Sequence, residues 1–212
     1  MDENRLQDRI YWGLNRAARI IGTETLAYRP ATNSRPLSKE NRFLRLSAAF
    51  SRSDGKFDQS QPYGNAVWRG YFDAAYTHVG DYLVQGDDIW FIISQYRLLP
   101  VLCIKTNKRL SVFRANIPTT GSPYDAAVPN TTTPILIDWP ASMLGIDPKG
   151  RPSAGLPTDT NIPTSTVLLP HMRDLQIRRS DTIYDELGTL SIVVEAELSD
   201  FGWRLSTRQA TT

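Results

Sequence analysis

The feature that most restricts the fold of this chain is a hairpin phrase that occurs twice. Gly80-Asp81-Tyr82-Leu83-Val84, a turn holding Gly86, and the run Ile89 to Ile93 are matched by Ser180-Asp181-Thr182-Ile183-Tyr184, a turn holding Gly188, and the run Leu190 to Val194. Asp81 to Ile92 and Asp181 to Ile192 span eleven residues each. An Asp before a strand, a glycine turn and a β-branched strand make a hairpin recipe that unrelated proteins also use. The recurrence is therefore either that recipe used twice, or the mark of two related small β-barrels separated by a proline-rich stretch.

The rest of the chain fits the second reading. Asp2 to Ile21 is the one convincing helix: Leu6, Ile10, Leu14, Ala17 or Ala18, and Ile21 recur at the spacing of one buried face. Asp2 and Glu3 in the first turn and Arg16 and Arg19 near the last suit the helix dipole, and Gly22 offers the stop. Tyr11 and Trp12 widen the apolar side, so the helix either packs under a sheet or docks on a partner. Trp12, Arg16 and Arg19 are the candidate partner-docking residues. Thr25 to Tyr28 and Phe43 to Phe50 read as strands with a turn at Asn33 to Pro36, and Ser51 to Asn65 as a long polar loop. The most strand-like region is Val67 to Arg114. There Tyr82 to Val84 and Ile89 to Ile93 form one hairpin, and Val101 to Ile104 and Leu110 to Phe113 are expected to form another around Lys105 to Arg109.

Ten of the 14 prolines fall between residues 115 and 170. That density disfavours long ladders, so the stretch reads as a linker with long loops. Its apolar islands, Ile135 to Trp139 and Thr166 to Leu169, still need burial. The expectation is a mainly β protein with two small β-barrel or sandwich modules, an N-terminal α-helix and long Pro-rich loops. The division expected is 1–114 for the helix and first module, 115–170 for the linker and loops, and 171–212 for strands completing the second module.

Chemistry leaves few traces. There is no phosphate loop ending in Gly-Lys-Ser/Thr, no His-Glu-x-x-His, no Cys-x-x-Cys and no Gly-x-Ser-x-Gly. The single cysteine, Cys103, excludes an internal disulfide framework; between Leu102 and Ile104 it reads as a core residue rather than as the partner of His78 or His171. His78 near Asp81 reads as a loop hydrogen bond, and Asp87-Asp88 as a solvated turn, because adjacent side chains on a hairpin tip diverge. No catalytic residue, metal site or cofactor is expected. The chain opens on a polar, acidic stretch, and its longest uncharged apolar run, Ile89 to Tyr96, is far short of the ~20 residues of a bilayer span, so no membrane association is expected. A net charge of +2 is too weak to indicate a nucleic-acid binder, although 19 of the 24 cations are Arg, which favours interfaces. Lys105, Lys108 and Arg109, with Arg114 beside them, read either as solvated loop cations or as weak phosphate contacts that symmetry multiplies around a ring. The five tryptophans are not interleaved with them, so base-stacking platforms are not indicated.

The phrase Gly80-Asp81-Tyr82-Leu83-Val84 … Gly86 … Ile89-Trp90-Phe91-Ile92 resembles the "G-D-x-h … G … Y/W-x-V" hairpin of head-closure (stopper) proteins of tailed bacteriophages, h being apolar. Leu99 to Lys108 is similar to a phrase of phage proteins encoded near portal and capsid genes. Ser180-Asp181-Thr182-Ile183 … Gly188 … Ile192 to Glu197 … Gly202-Trp203-Arg204-Leu205 is similar to the same hairpin plus a closing strand, with Ser180 in place of the usual glycine and Leu190 in place of an aromatic. The likeness covers residues 67 to 114 and 175 to 208. It implies a structural virion protein of the neck, of adaptor or stopper type, made in the host cytoplasm. Such a protein forms a six- or twelve-fold homo-oligomeric ring between portal and tail and helps close the head and retain or pass DNA. Its partners would be copies of itself, a portal or adaptor ring, tail proteins and, transiently and without sequence preference, genomic DNA. Lys105, Lys108 and Arg109 are the candidates for a DNA-facing lumen, and loops within 52–67 and 116–134 are candidates for ordering on a neighbour. The alternatives are a tail terminator, tail-tube or baseplate component and, in another class, a small β-barrel enzyme or carbohydrate-binding module.

Overall fold

A computed structural model describes residues 2–52, 66–115, 132–145, 164–172 and 175–210. Helix α1 (Glu3–Ile21) is capped by the Asp2 carboxylate, which accepts from the Asn4 N–H. Twelve strands follow: β1 (Thr23–Tyr28), β2 (Arg42–Arg52), β3 (Val67–Tyr71), β4 (Tyr82–Gln85), β5 (Asp88–Ser94), β6 (Val101–Lys105), β7 (Lys108–Ala115), β8 (Thr132–Gly145), β9 (Thr164–Leu169), β10 (Thr182–Asp185), β11 (Leu190–Ser199) and β12 (Gly202–Gln209). They form two closed, wholly antiparallel barrels in the orders β1-β2-β3-β6-β5-β4 and β7-β8-β9-β12-β11-β10. Adding six to each strand number converts one barrel into the other. The protein is mainly β, with an N-terminal helix and two barrel modules.

Strand pairing divides the chain elsewhere than the sequence analysis expects. The first barrel ends at Lys105 and the second begins at Lys108, three residues on. Val101 to Ile104 and Leu110 to Phe113 are not a hairpin: β6 pairs with β3 and β5, whereas β7 pairs with β8 and β10. The chain crosses between barrels at two residues, the Thr106 N–H bonding the Ile89 carbonyl and the Asn107 N–H bonding the Ala141 carbonyl. A short polar stretch between two apolar strands looks the same whether the chain reverses or hands over. The proline-rich region likewise supplies strands, since both apolar islands lie in β8 and β9. Pro134 is accommodated beside a slip in the β7–β8 register at Val112/Phe113, and Pro140 pairs with Arg109 ahead of the β8–β9 ladder, which begins at Ser142. The other prolines between 115 and 163 lie outside the described residues, as do most of the loops considered for neighbour contacts.

The hairpin repeat is real, with one correction of register. The Gly80 N–H bonds the Ile92 carbonyl, and the Ser180 N–H bonds the Val193 carbonyl, so Ile92 corresponds to Val193 rather than to Ile192. The second turn is one residue longer. Both β5 and β11 then slip register at the next position, Ile93 and Val194 respectively.

Alternation along β4 and β5 explains their apolar run. Leu83, Trp90 and Ile92 point into the first barrel with Phe72, Val101 and Cys103, and Phe50 stacks on Trp90 at 3.9 Å. Tyr82, Phe91, Ile93 and Ile104 point outward and join the core of the second barrel. Tyr82 lies edge-on to Trp139 at 5.9 Å and donates from Oη to the Pro140 carbonyl at 2.7 Å. Trp139 Nε1 donates to the Asn33 carbonyl, and Ser34 bridges in parallel to Ile137. The seam thus joins the β4–β5–β6 face of the first barrel to the β8–β9 side of the second, buried on both sides.

Helix α1 covers β2 and β3. Its inner residues are Leu6, Ile10, Leu14, Ala17 and Ala18, as the spacing predicts, but Ile21 is exposed because the last turn overhangs the barrel. Gly22 ends it by close approach, since a Cβ there would sit 2.5 Å from both the Ala18 and the Ala48 carbonyl oxygens.

Candidate interaction surfaces

The repeated aspartates are structural locks. Asp81 accepts from Arg29 Nε at 2.9 Å, from Arg29 Nη2 at 2.7 Å and from the His78 N–H at 2.8 Å. Asp181 accepts from Arg114 Nε at 2.8 Å, from Arg114 Nη2 at 2.8 Å and from the Arg178 N–H at 2.7 Å. Each arginine adds a second bond to a carbonyl, Tyr76 for Arg29 and Gln176 for Arg114. Both carboxylates are buried, and hydrogen bonding to them raises the pKa of each guanidinium above its ordinary value. Each lock ties the strand that opens a barrel (β1 or β7) to the turn ahead of the repeated hairpin. The sequence marks the aspartates by their recurrence, but not the arginines, which lie 52 and 67 residues away from them. Arg114 therefore leaves the basic cluster and becomes half of a lock.

The three candidate lumen cations are likewise partnered. Lys105 Nζ lies 2.8 Å from Asp88 and sits over the Trp90 and Trp68 rings, at 5.6 and 5.8 Å from their centroids. Lys108 Nζ lies 3.1 Å from Asp185, and Arg109 Nη1 lies 3.0 Å from Asp138. Burial pushes the Asp185 carboxyl upward, but the Thr189 N–H, Lys108 and the Leu187 N–H outweigh it and hold the group below the ordinary carboxylate value. Lys105 closes the first barrel while Lys108 and Arg109 open the second, but Lys108 and Arg109, consecutive on β7, point to opposite faces and so do not form one patch. Each of the three cations is thus matched by a carboxylate of its own.

The candidate docking residues are open. Trp12 is 65% exposed, with the Arg16 guanidinium 5.6 Å from its ring centroid. Arg19 is exposed beside Glu24, Arg45 and Asp73 around a shallow pocket.

Cys103 and the two histidines lie in different parts of the molecule. Cys103 is fully buried inside the first barrel, and burial pushes its thiol far up. His78 and His171 line one cavity at the seam with Arg29, Asp81 and Trp139. There Asp81 is committed to its lock and His78 Nδ1 to the Thr77 carbonyl, at 2.6 Å. Among the described residues no group of three or more His, Cys, Asp or Glu could hold a metal ion, and no helix is long and apolar enough to cross a membrane. Comparison with protein-family models, with curated proteins and with solved structures finds no match for this chain.

Proposed function

We propose that this protein is a structural ring component of the neck of a tailed phage, standing between portal and tail and helping to close the head. The observation that carries the reading is the Gly-Asp hairpin. The residues that resemble the head-closure motif, Gly80 to Ile92, are the β4–β5 hairpin, and the same construction recurs as β10–β11 with its own arginine lock. Gly80 stands at φ 95°, in the left-handed region where glycine is favoured, which gives the motif's first residue a physical reason. The pairing of Lys105, Lys108 and Arg109 each with a carboxylate suits a protein past which DNA slides without being held. The reading assigns no reaction and no cofactor to the chain. The test is electron microscopy and light scattering of the purified protein, alone and with a portal complex. A closed ring is expected, alone or on the portal. A monomer that also fails to bind portals overturns the reading.

A further inference from the structure

The two barrels are equivalent in build but not in what covers them. On the first barrel the outward residues of the repeated hairpin are sealed by the second barrel: Phe91 is 0% exposed and Ile93 5%. Their equivalents on the second barrel, Ile192 and Val194, are 40% and 42% exposed, and Tyr184 beside them is 40% exposed. The β10–β11 face is therefore the counterpart of the surface with which the first barrel receives the second, and no described residue covers it in that way. In the seam, that face meets the β8–β9 side of the following barrel. The corresponding side of the first barrel, β2 and β3, carries helix α1. A next copy approaching in the manner of the seam meets this face helix first.

The charges agree. The outer stripe of α1 presents Arg5, Asp8, Arg9, Trp12, Arg16, Arg19 and Ile20, all exposed, with four cations against one carboxylate. From Asp181 to Trp203 the chain has six acidic residues and no Lys or Arg. Two of the six, Asp181 and Asp185, are taken by Arg114 and Lys108. Glu186, Glu195, Glu197 and Asp200 are exposed and in no ion pair with a described residue, as are the four helix arginines. Arg204 and Arg208 on β12 pair with Glu197 and Ile192 on this same face, and Arg179 Nε donates to the Val194 carbonyl, so three cations rim the acidic side chains that β11 and the turn supply. Trp and Arg around a small apolar patch are the residue types that dominate binding at protein interfaces.

We infer that the outer face of α1, through Trp12, Ile20 and its arginines, docks on the open β10–β11 face of a second copy, through Tyr184, Ile192, Val194, Glu195 and Glu197. The contact is heterologous, so its repetition closes a ring or extends a filament. It rests on the ring reading above and names the surfaces that would build the ring. The test uses two full-length variants, R9E/R16E and E195R/E197R, whose changes fall on exposed side chains. Sedimentation over a concentration series should show each variant associating at least about tenfold more weakly than the natural chain, and their mixture recovering association through the reversed pair. A thiol-reactive crosslinker added to mixed R16C and E197C chains should join one to the other, with Cys103 shielded in the core. Association unchanged in both variants, or no crosslink at the highest soluble concentration, overturns this contact and leaves the ring reading standing. A chain that neither associates nor binds a portal complex overturns both.

Discussion

The two barrels share strand order, lock and register slip, yet they differ in how their hairpins earn burial. In the first, β4 and β5 are apolar on both faces because each faces a core: Leu83, Trp90 and Ile92 inside, Tyr82, Phe91 and Ile93 at the seam. In the second, Ile183 and Val193 face inward while Thr182, Ile192 and Val194 look out. Similar backbones therefore carry a continuous apolar run in one barrel and a mixed one in the other. A strand's composition thus reports its neighbours, not its topology.

Breaking the comparison at the seam should have the largest effect. Tyr82 is fully buried and bridges the barrels, and Thr182 is its counterpart. Tyr82→Ala is expected to cost about 3–5 kcal/mol in denaturant unfolding, and Thr182→Ala under about 0.5 kcal/mol. Tyr82→Phe, which keeps the ring, should cost about 1 kcal/mol for the lost bond to Pro140. Equal costs for the two alanine variants would mean that the barrels do not depend on the seam.

The locks should come next and should behave alike. Asp81→Ala and Asp181→Ala each remove a buried carboxylate that accepts three bonds, and each is expected to cost about 3 kcal/mol. Equilibrium unfolding of both variants checks this. A cost below about 1 kcal/mol in either would reduce that lock to an ordinary surface pair.

A smaller effect sharpens one place where the copies differ in backbone chemistry. Ser180 holds φ 72° where its counterpart Gly80 holds φ 95°. A Cβ on Gly80 would lie 3.0 Å from the His171 carbonyl oxygen, so the first copy is also confined by a neighbour. Ser180→Gly should stabilise the protein by about 0.5–1 kcal/mol and Gly80→Ala should destabilise it, both read from thermal melts. A destabilised Ser180→Gly would show that the serine is held by something other than backbone preference.

Much of this was legible where the determinants are local. The helix face follows from the spacing of Leu6 to Ala18, and the paired hairpins from the two Asp–Gly phrases, because both patterns repeat within a few residues. The hand-over at Thr106 and Asn107 was not legible, since strand partners are chosen by burial across the whole chain. Nor were β8 and β9, since Pro134 and Pro140 argue locally against a ladder, yet one lies beside a register slip and the other ahead of the β8–β9 pairing. Arg29 and Arg114 carry no local mark because their aspartates come from distant turns. Of the candidate surfaces, the helix stripe with Trp12 was readable from periodicity alone, whereas the pairing of Lys105, Lys108 and Arg109 depends on Asp88, Asp185 and Asp138 reaching them from three different strands.

The smallest predicted effect separates the barrels by pH. The residue that closes the β4 strand is Gln85, whose Nε2 donates to the Ala48 carbonyl at 2.9 Å; its counterpart Asp185 accepts from Thr189 N–H at 2.8 Å, Leu187 N–H at 3.0 Å and Lys108 Nζ at 3.1 Å. Only the second is titratable. Because the folded Asp185 pKa is depressed, its contribution is present above the unfolded value, about 3.9, and is lost as pH falls through the lower folded value. Asp185→Asn should therefore flatten the acid limb of the stability curve by about 1 kcal/mol or less, while Gln85→Ala shifts the whole curve without changing its slope. Unfolding curves collected between pH 6 and 3 on both variants make the comparison. An acid limb unchanged by Asp185→Asn would put the acid sensitivity elsewhere and leave the two turns equivalent in how they hold their barrels.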